Sequence, residues 1–306
     1  MSTITIPDWV LENHPLASQT TWRVGGAAAY FGVVKNMDML WTAIQVAREH
    51  ELNIFILGAG SNLLVDDAGV YGLVIRLEGD FKKCQLLSPN EFMVGGGFLM
   101  PLLAKKMGEA GQTGFEFMVG IPGSVGGGVV INAGRGADEP CMGTILKSVC
   151  YIDETLQEKE ESVKTLEMSY RSSRLKQTPA IVVSADFLLN RKDEPQAIMD
   201  HMRTILAERR EKFPLNYPNA GSVFKGPDGY PPAGWLIEKA GLKGRQVGNA
   251  QISHVHANFI VNLGGATSAD VKSLIELVQE EVRKIHGVVM EKEVMFWPEE
   301  NNWMIW

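Results

Sequence analysis

The sequence predicts an α+β protein, and three observations predict it. Short apolar runs bounded by glycine or charge, such as Ile54 to Leu57, Val70 to Leu77 and Ile181 to Leu189, read as strands. Amphipathic helices are few and separated, the clearest being Met37 to Glu49 and the stretch that opens at Thr267. The glycine-rich loop Gly58 to Asn62 follows a strand but has Leu63 where a dinucleotide fingerprint needs its third glycine. Leu63, Leu64 and Val65 then look like a strand ending at Asp66-Asp67, which excludes a nicotinamide-type Rossmann site.

Taken in order, Thr20 to Val34 reads as a short strand, a Gly25-Gly26 turn and a second apolar strand. Leu40, Trp41, Ile44 and Ala47 give the first helix its apolar stripe. Phe92 to Gly97 is a strand with a glycine turn, and Leu102, Leu103 and Met107 mark a helix over Leu99 to Ala110. Gly120 to Gly134 carries six glycines, a poor recipe for a helix or a core. Glycine at that density lets successive N–H groups converge on an anion such as a pyrophosphate. A glycine-rich surface loop is the bland alternative, but Val129, Val130 and Ile131 stand where a solvated linker would carry Ser, Lys or Glu.

Ser148 to Asp153 reads as a strand, and the charged run Glu154 to Lys164 as an exposed hairpin. Composition turns charged at Asn190 to Pro195, which marks a domain boundary. Ile198, Met202, Ile205 and Leu206 then define a helix whose last turn holds Arg209, Arg210 and Lys212, cations that suit a helix C-terminus. Trp235 to Gly241 is a short helix with a glycine stop, and Phe259 to Asn262 a strand. Thr267 and Asp270 cap a helix whose buried face is Val271, Leu274, Ile275, Val278, Val282 and Ile285. Val288 to Trp297 closes the chain as a strand-like run.

The 306 residues suffice for two or three domains, and a net charge of -7 gives no footprint for nucleic acid or an anionic membrane. Cys84, Cys141 and Cys150 lack metal or disulfide spacing, and a cytosolic location is expected from the absence of an apolar leader or spanning run. His254 and His256 alternate on an expected strand and could face a metal, but no third ligand is spaced for it, so satisfied imidazoles are the better reading. Ser222 in its Pro/Gly turn is not a GxSxG nucleophile, and Glu291 and Glu293 alternate as a solvated face would.

Together the motifs are more specific. TWRVGG (Thr21 to Gly26), GAGSNLLV (Gly58 to Val65), GIPGSVGG (Gly120 to Gly127), INAG (Ile131 to Gly134), YRSS (Tyr170 to Ser173), NAGSVFK (Asn219 to Lys225), AGLKG (Ala240 to Gly244), HANFIVN (His256 to Asn262) and EKEV (Glu291 to Val294) occur in that order. In that order they resemble the UDP-N-acetylenolpyruvoylglucosamine reductase family, in its shorter type without an extra tyrosine-bearing loop. The resemblance implies a two-lobed FAD-binding part of the vanillyl-alcohol-oxidase/PCMH-like type, followed by an α+β substrate domain. On this chain the lobes would be residues 1–79 and 80–195, with the flavin-binding region over about 20–190. The substrate domain would be 196–290, and 291–306 a C-terminal strand and tail returning to the active site.

FAD, held without a covalent tether, would contact Gly58, Ala59, Gly60, Ser61, Asn62 and Leu63, then Gly120, Ile121, Pro122, Gly123, Ser124 and Gly127, with Asn132 and Ala133. The implied reaction passes a hydride from NADPH to the flavin and on to the enolpyruvyl ether of UDP-N-acetylglucosamine, in peptidoglycan precursor synthesis. By similarity Arg171 and Glu293 stabilise the enolate-like intermediate and Ser222 protonates it, while Tyr170, Lys212, Lys225 and Asn258 bind substrate. No metal is implied. Gly226, Lys292 and Arg135 depart from the family pattern. A same-fold FAD oxidase or dehydrogenase of a small alcohol or hydroxy acid would use both glycine loops, as would a nucleotide-binding regulatory module. Neither has a use for Arg171, Ser222 and Glu293 together.

Overall fold

The computed structural model describes residues 5–136, 139–188 and 192–299. Its first sheet combines β1 (Val10–Pro15), β2 (Ala27–Val34), β3 (Asn53–Ile56) and β5 (Val70–Leu77) in the order β1-β2-β5-β3, while β4 (Leu63–Val65) stands apart. β1 runs antiparallel to β2, whereas β5 is parallel to both β2 and β3. The crossover from β2 to β3 is α1 (Met37–Glu49), opened by the Asn36 carboxamide, which accepts the Met39 N–H at 2.9 Å. Leu40, Ala43, Ile44 and Ala47 bury that helix against the sheet.

The second sheet is wholly antiparallel, in the order β6-β7-β10-β8-β9, from β6 (Cys84–Ser88), β7 (Glu91–Gly95), β8 (Leu146–Asp153), β9 (Glu158–Ser162) and β10 (Ala180–Leu188). Two helices, α2 (Met100–Glu109) and α3 (Val125–Val130), interrupt it between β7 and β8. After α4 (Pro195–Lys212), a third unit packs α5 (Ala233–Lys239) and α6 (Ser268–His286) on the antiparallel sheet β11 (Gln246–Val247), β12 (Ala250–Ile252), β13 (Ile260–Asn262). The last strand, β14 (Met295–Trp297), leaves that unit and pairs in parallel with β4, Met295 opposite Leu63 and Trp297 opposite Val65.

The TWRVGG motif stitches the N-terminal segment to the third unit. Trp22 is fully buried, its indole N–H donates to the Ile260 carbonyl at 2.7 Å, and Asn262 Nδ2 donates to the Trp22 carbonyl at 2.9 Å. A Cβ on Gly25 would stand 2.5 Å from that of Val65, so the chain needs glycine to turn there. Asp67 reaches across to cap α6, its carboxylate accepting the Ser268 and Ala269 N–H groups at 2.8 and 3.2 Å.

Several expectations need correction. Val125–Val130 is a short helix despite its glycines, because Ser124 caps it and close approach demands the missing side chains: a Cβ on Gly128 would lie 2.6 Å from Met100 Sδ. Thr20 to Val24 forms turns instead of a strand, since its hydrogen bonds go to local carbonyls and to Gly60. His254 and His256 lie in a turn region, not on a strand. Leu102 and Ile285 are exposed, α2 burying Met100, Leu103, Ala104 and Met107 instead. Only the end of Val288 to Trp297 pairs as a strand, and β1 and β6 escaped notice because their exposed edges blur the alternation. The Asn190 to Pro195 boundary falls partly outside the described residues.

Candidate active site

A cavity of about 1220 Å³ lies where the two large sheets and the third unit meet. That exceeds the roughly 300–1,000 Å³ typical of a single small-ligand site, so it has room for more than one bound molecule. Gly58 to Leu63 form one wall and Ile121 to Ser124 with Gly126 to Gly128 another. The two loops are joined directly, Ser61 Oγ donating to the Pro122 carbonyl at 2.5 Å. Glycine is required at the closest approaches: a Cβ on Gly58 would stand 2.6 Å from Ser124 Oγ, and Gly60 has φ +62° against the Gln19 carbonyl. Backbone stripped of side chains in this way is a cradle for a dinucleotide diphosphate, and the residues present fit FAD.

Arg171, Ser222 and Glu293, from three distant parts of the chain, line this one cavity. Arg171 Nε donates to Glu293 Oε1 at 2.5 Å, and each side chain is 13% exposed. Burial pushes the Glu293 carboxyl above the ordinary carboxylate range, and the Arg171 guanidinium beside it offsets only part of that. Arg171 occupies a tight turn with φ +54°, closed by reciprocal backbone hydrogen bonds between Ser169 and Ser172 at 3.0 and 3.1 Å. A non-glycine residue in that region costs about 1–3 kcal/mol and persists only where its surroundings fix it. Asn132 does so, its Nδ2 donating to the Ser169 carbonyl at 2.8 Å while its Oδ1 accepts the Gly143 N–H at 2.9 Å.

Ser222 is carried by a segment clamped on two sides. Glu293 N–H donates to the Val223 carbonyl at 2.8 Å, so the serine and glutamate segments lie side by side. Opposite, Asn258 accepts the Phe224 N–H at 3.0 Å and donates to the Phe224 carbonyl at 2.8 Å, while its own carbonyl accepts the Val223 N–H at 2.9 Å. Asn62 completes the frame from the first glycine loop, donating to the Glu293 carbonyl at 3.1 Å and accepting the Met295 N–H at 3.0 Å.

Other expected residues are distributed differently. Lys212 lines the cavity, largely exposed, 3.5 Å from Glu208. Tyr170 lies under the Arg171 guanidinium, 5.2 Å from ring centroid to Cζ, beside a separate pocket of about 170 Å³. Lys225 pairs with Glu291, and Asn258 is buried behind the serine segment; neither lines the large cavity. Asn132, Ala133 and Gly120 do not line it either. Gly120 makes room for Arg209, whose Cδ would be 2.2 Å from a Cβ there.

Arg209 itself is a cavity residue that reading it as a helix-end cation missed. Burial lowers its pKa, with Arg135 nearby contributing in the same direction. The available signal was spacing, because Ile198, Met202 and Ile205 form the buried stripe of α4 and Arg209 follows at the same helical spacing. Burial lowers the His256 pKa, and its Nδ1 accepts the Asn258 N–H at 3.2 Å. Among the described residues no cluster of three His, Cys, Asp or Glu could hold a metal, and no helix is long and apolar enough to cross a membrane.

Comparison with known proteins places the chain in a family. Residues 28–155 match an FAD binding domain, and residues 213–297 match the UDP-N-acetylenolpyruvoylglucosamine reductase C-terminal domain. UDP-N-acetylenolpyruvoylglucosamine reductase 2 of Symbiobacterium thermophilum is 42% identical over 297 residues, covering 97% of this chain and 94% of the relative. The reductase of Bacillus pumilus is 39% identical over 95% of both chains. The crystal structure of the reductase from Thermus caldophilus superimposes with a TM-score of 0.80 at 36% identity, covering 94% of this chain and 98% of that one. By sequence and fold alike, the chain belongs to the UDP-N-acetylenolpyruvoylglucosamine reductase family.

Proposed function

We propose that this protein is an FAD-dependent oxidoreductase that uses NADPH to reduce the enolpyruvyl ether of UDP-N-acetylglucosamine to UDP-N-acetylmuramate, a step of peptidoglycan precursor synthesis. The observation that carries the reading is the convergence of Arg171, Ser222 and Glu293 on the cavity walled by both glycine loops. The residue division into two FAD-binding lobes (1–79 and 80–195), a substrate domain (196–290) and a returning C-terminal segment (291–306) is part of the proposal. So are a cytoplasmic setting and the absence of nucleic-acid and membrane partners, in keeping with the net charge of -7.

When bound, FAD supplies a two-electron carrier between the nicotinamide and the enolpyruvyl group. The chain's own residues then have three tasks. Arg171 binds the enolpyruvyl carboxylate, and its planar donor fork holds that group as negative charge develops beside it. Glu293 contributes as a neutral acid, because a carboxylate would repel the same charge. Substrate binding favours that state: a carboxylate that takes up part of the Arg171 guanidinium weakens the offset that now keeps the Glu293 pKa from rising further. Ser222 delivers the proton to the carbanion carbon, a task a weakly acidic hydroxyl can perform because an enolate-type carbanion is a strong base. Lys212, an exposed cation on the cavity wall, meets a phosphate group of the nicotinamide nucleotide or of the substrate.

Asn132 and Asn258 act on this chemistry through the backbone turns they hold, as positioning residues. Ser222→Ala tests the assignment. Turnover should fall by several orders of magnitude while reduction of the bound flavin by NADPH stays unchanged. Full turnover by the variant would refute the proton-donor role.

A further inference from the structure

Arg76 is a cavity-lining cation without an ion-pair partner among the described residues. It is the penultimate residue of β5, which is in parallel register with β3, Ile75 opposite Ile56, and Leu57 N–H donates to the Ile75 carbonyl at 2.8 Å. Arg76 therefore stands beside the point where β3 gives way to the Gly58 loop, and both line the same cavity. Its Nη1 donates to Gln19 Oε1 at 2.6 Å, and the Gln19 carbonyl oxygen lies 2.3 Å from where a Cβ on Gly60 would stand. Its Nε is sealed from solvent without any hydrogen-bond partner, and the guanidinium stands 5.9 Å from the Phe31 ring centre. Burial lowers its pKa, and Glu78 acts on it only through space, in the opposite direction. No carboxylate among the described residues forms an ion pair with it. A partly buried guanidinium in this state lacks the anion that would compensate its desolvation.

The glycine loop has the complementary deficiency. Its N–H groups can orient a diphosphate, but Gly58 to Leu63 carries no cation to neutralise one. We propose that Arg76 neutralises the diphosphate of the FAD seated on the Gly58 to Leu63 loop, with Gln19 holding the guanidinium toward it. This rests on the cofactor reading above and adds a residue outside every motif that supports that reading.

The test is retention of FAD by the intact holoprotein. Unaltered protein, Arg76→Met and Arg76→Lys are diluted and the recovery of free-flavin fluorescence is followed across a range of KCl concentrations. Arg76→Met should bind FAD roughly ten- to a hundredfold more weakly, as loss of a charge-assisted hydrogen bond predicts, and should lose much of the salt dependence. Arg76→Lys, which also serves if the Met variant fails to fold, should keep the salt dependence at an intermediate affinity. The dissociation constant of ADP, obtained by displacement of FAD and corrected for the affinity of FAD in each protein, should rise for the Met variant, and that of adenosine should be the same for both. FAD retention and salt response unchanged in both variants, or equal weakening of ADP and adenosine, would overturn the proposal. Unaltered protein that holds no FAD would overturn the cofactor reading itself, so the two failures are separable.

Discussion

Replacing Asn258 by alanine should damage both stability and catalysis, although Asn258 does not line the cavity. Its carboxamide makes two hydrogen bonds to the Phe224 backbone, at 3.0 and 2.8 Å, and both residues are at most 5% exposed. Alanine leaves one buried N–H and one buried carbonyl unpaired at about 1–3 kcal/mol each, hence about 2–6 kcal/mol in all. The Val223 links to the Asn258 carbonyl and to Glu293 N–H do not depend on the side chain, so the segment remains attached but loses its register. A displacement of the order of 1 Å at Ser222 would lower kcat by up to about a hundredfold with little change in KM. Urea unfolding followed by tryptophan fluorescence reads the first effect and steady-state kinetics the second. Asn258→Asp sharpens the test, because only a protonated aspartic acid can donate to the Phe224 carbonyl. Its activity should therefore recover as pH falls. A stability loss below about 0.5 kcal/mol together with an unchanged kcat would refute the clamp.

Gly60→Ala should lose FAD and stability together, since φ +62° costs a side chain about 1–2 kcal/mol and the new Cβ would stand 2.3 Å from the Gln19 carbonyl oxygen. Thermal unfolding and bound-flavin absorbance that match unaltered protein would contradict the cradle. Because burial raises the Glu293 pKa, its protonated form persists above the ordinary carboxylate value of 4.5 and is lost as pH rises through the folded-state pKa. The stability this group contributes is therefore present below its unfolded pKa and lost across that same rise. The rate should fall over that window, and Glu293→Gln, neutral at every pH, should lose that limb of the pH profile; an unchanged profile would remove Glu293 from the proton inventory.

Much of the fold was legible because its elements follow simple periods. Val70–Leu77 and the Thr267 capping box are local signals, and each gave the element it predicted. The glycine-rich helix Val125–Val130 was not legible, because what stabilises it is the close approach of Met100 and Met142, a tertiary fact invisible in a run of glycines. The same limit applied to the site. Motif resemblance pointed to Arg171, Ser222 and Glu293, but Arg76 lies outside every motif and Arg209 is hidden among the helix-end cations Arg210 and Lys212, so their place at the site emerges from the cavity. Asn132 and Asn258 were legible as motif members and not as clamps, since their partners, Ser169, Gly143 and Phe224, lie 11 to 37 residues away.

The most direct test of the central claim follows the visible absorption of the purified protein without oxygen. One equivalent of NADPH is added first, then the enolpyruvyl derivative of UDP-N-acetylglucosamine. The account predicts bleaching of the flavin bands by NADPH and their prompt return with the nucleotide sugar. Bleaching that persists after the nucleotide sugar is added would contradict it.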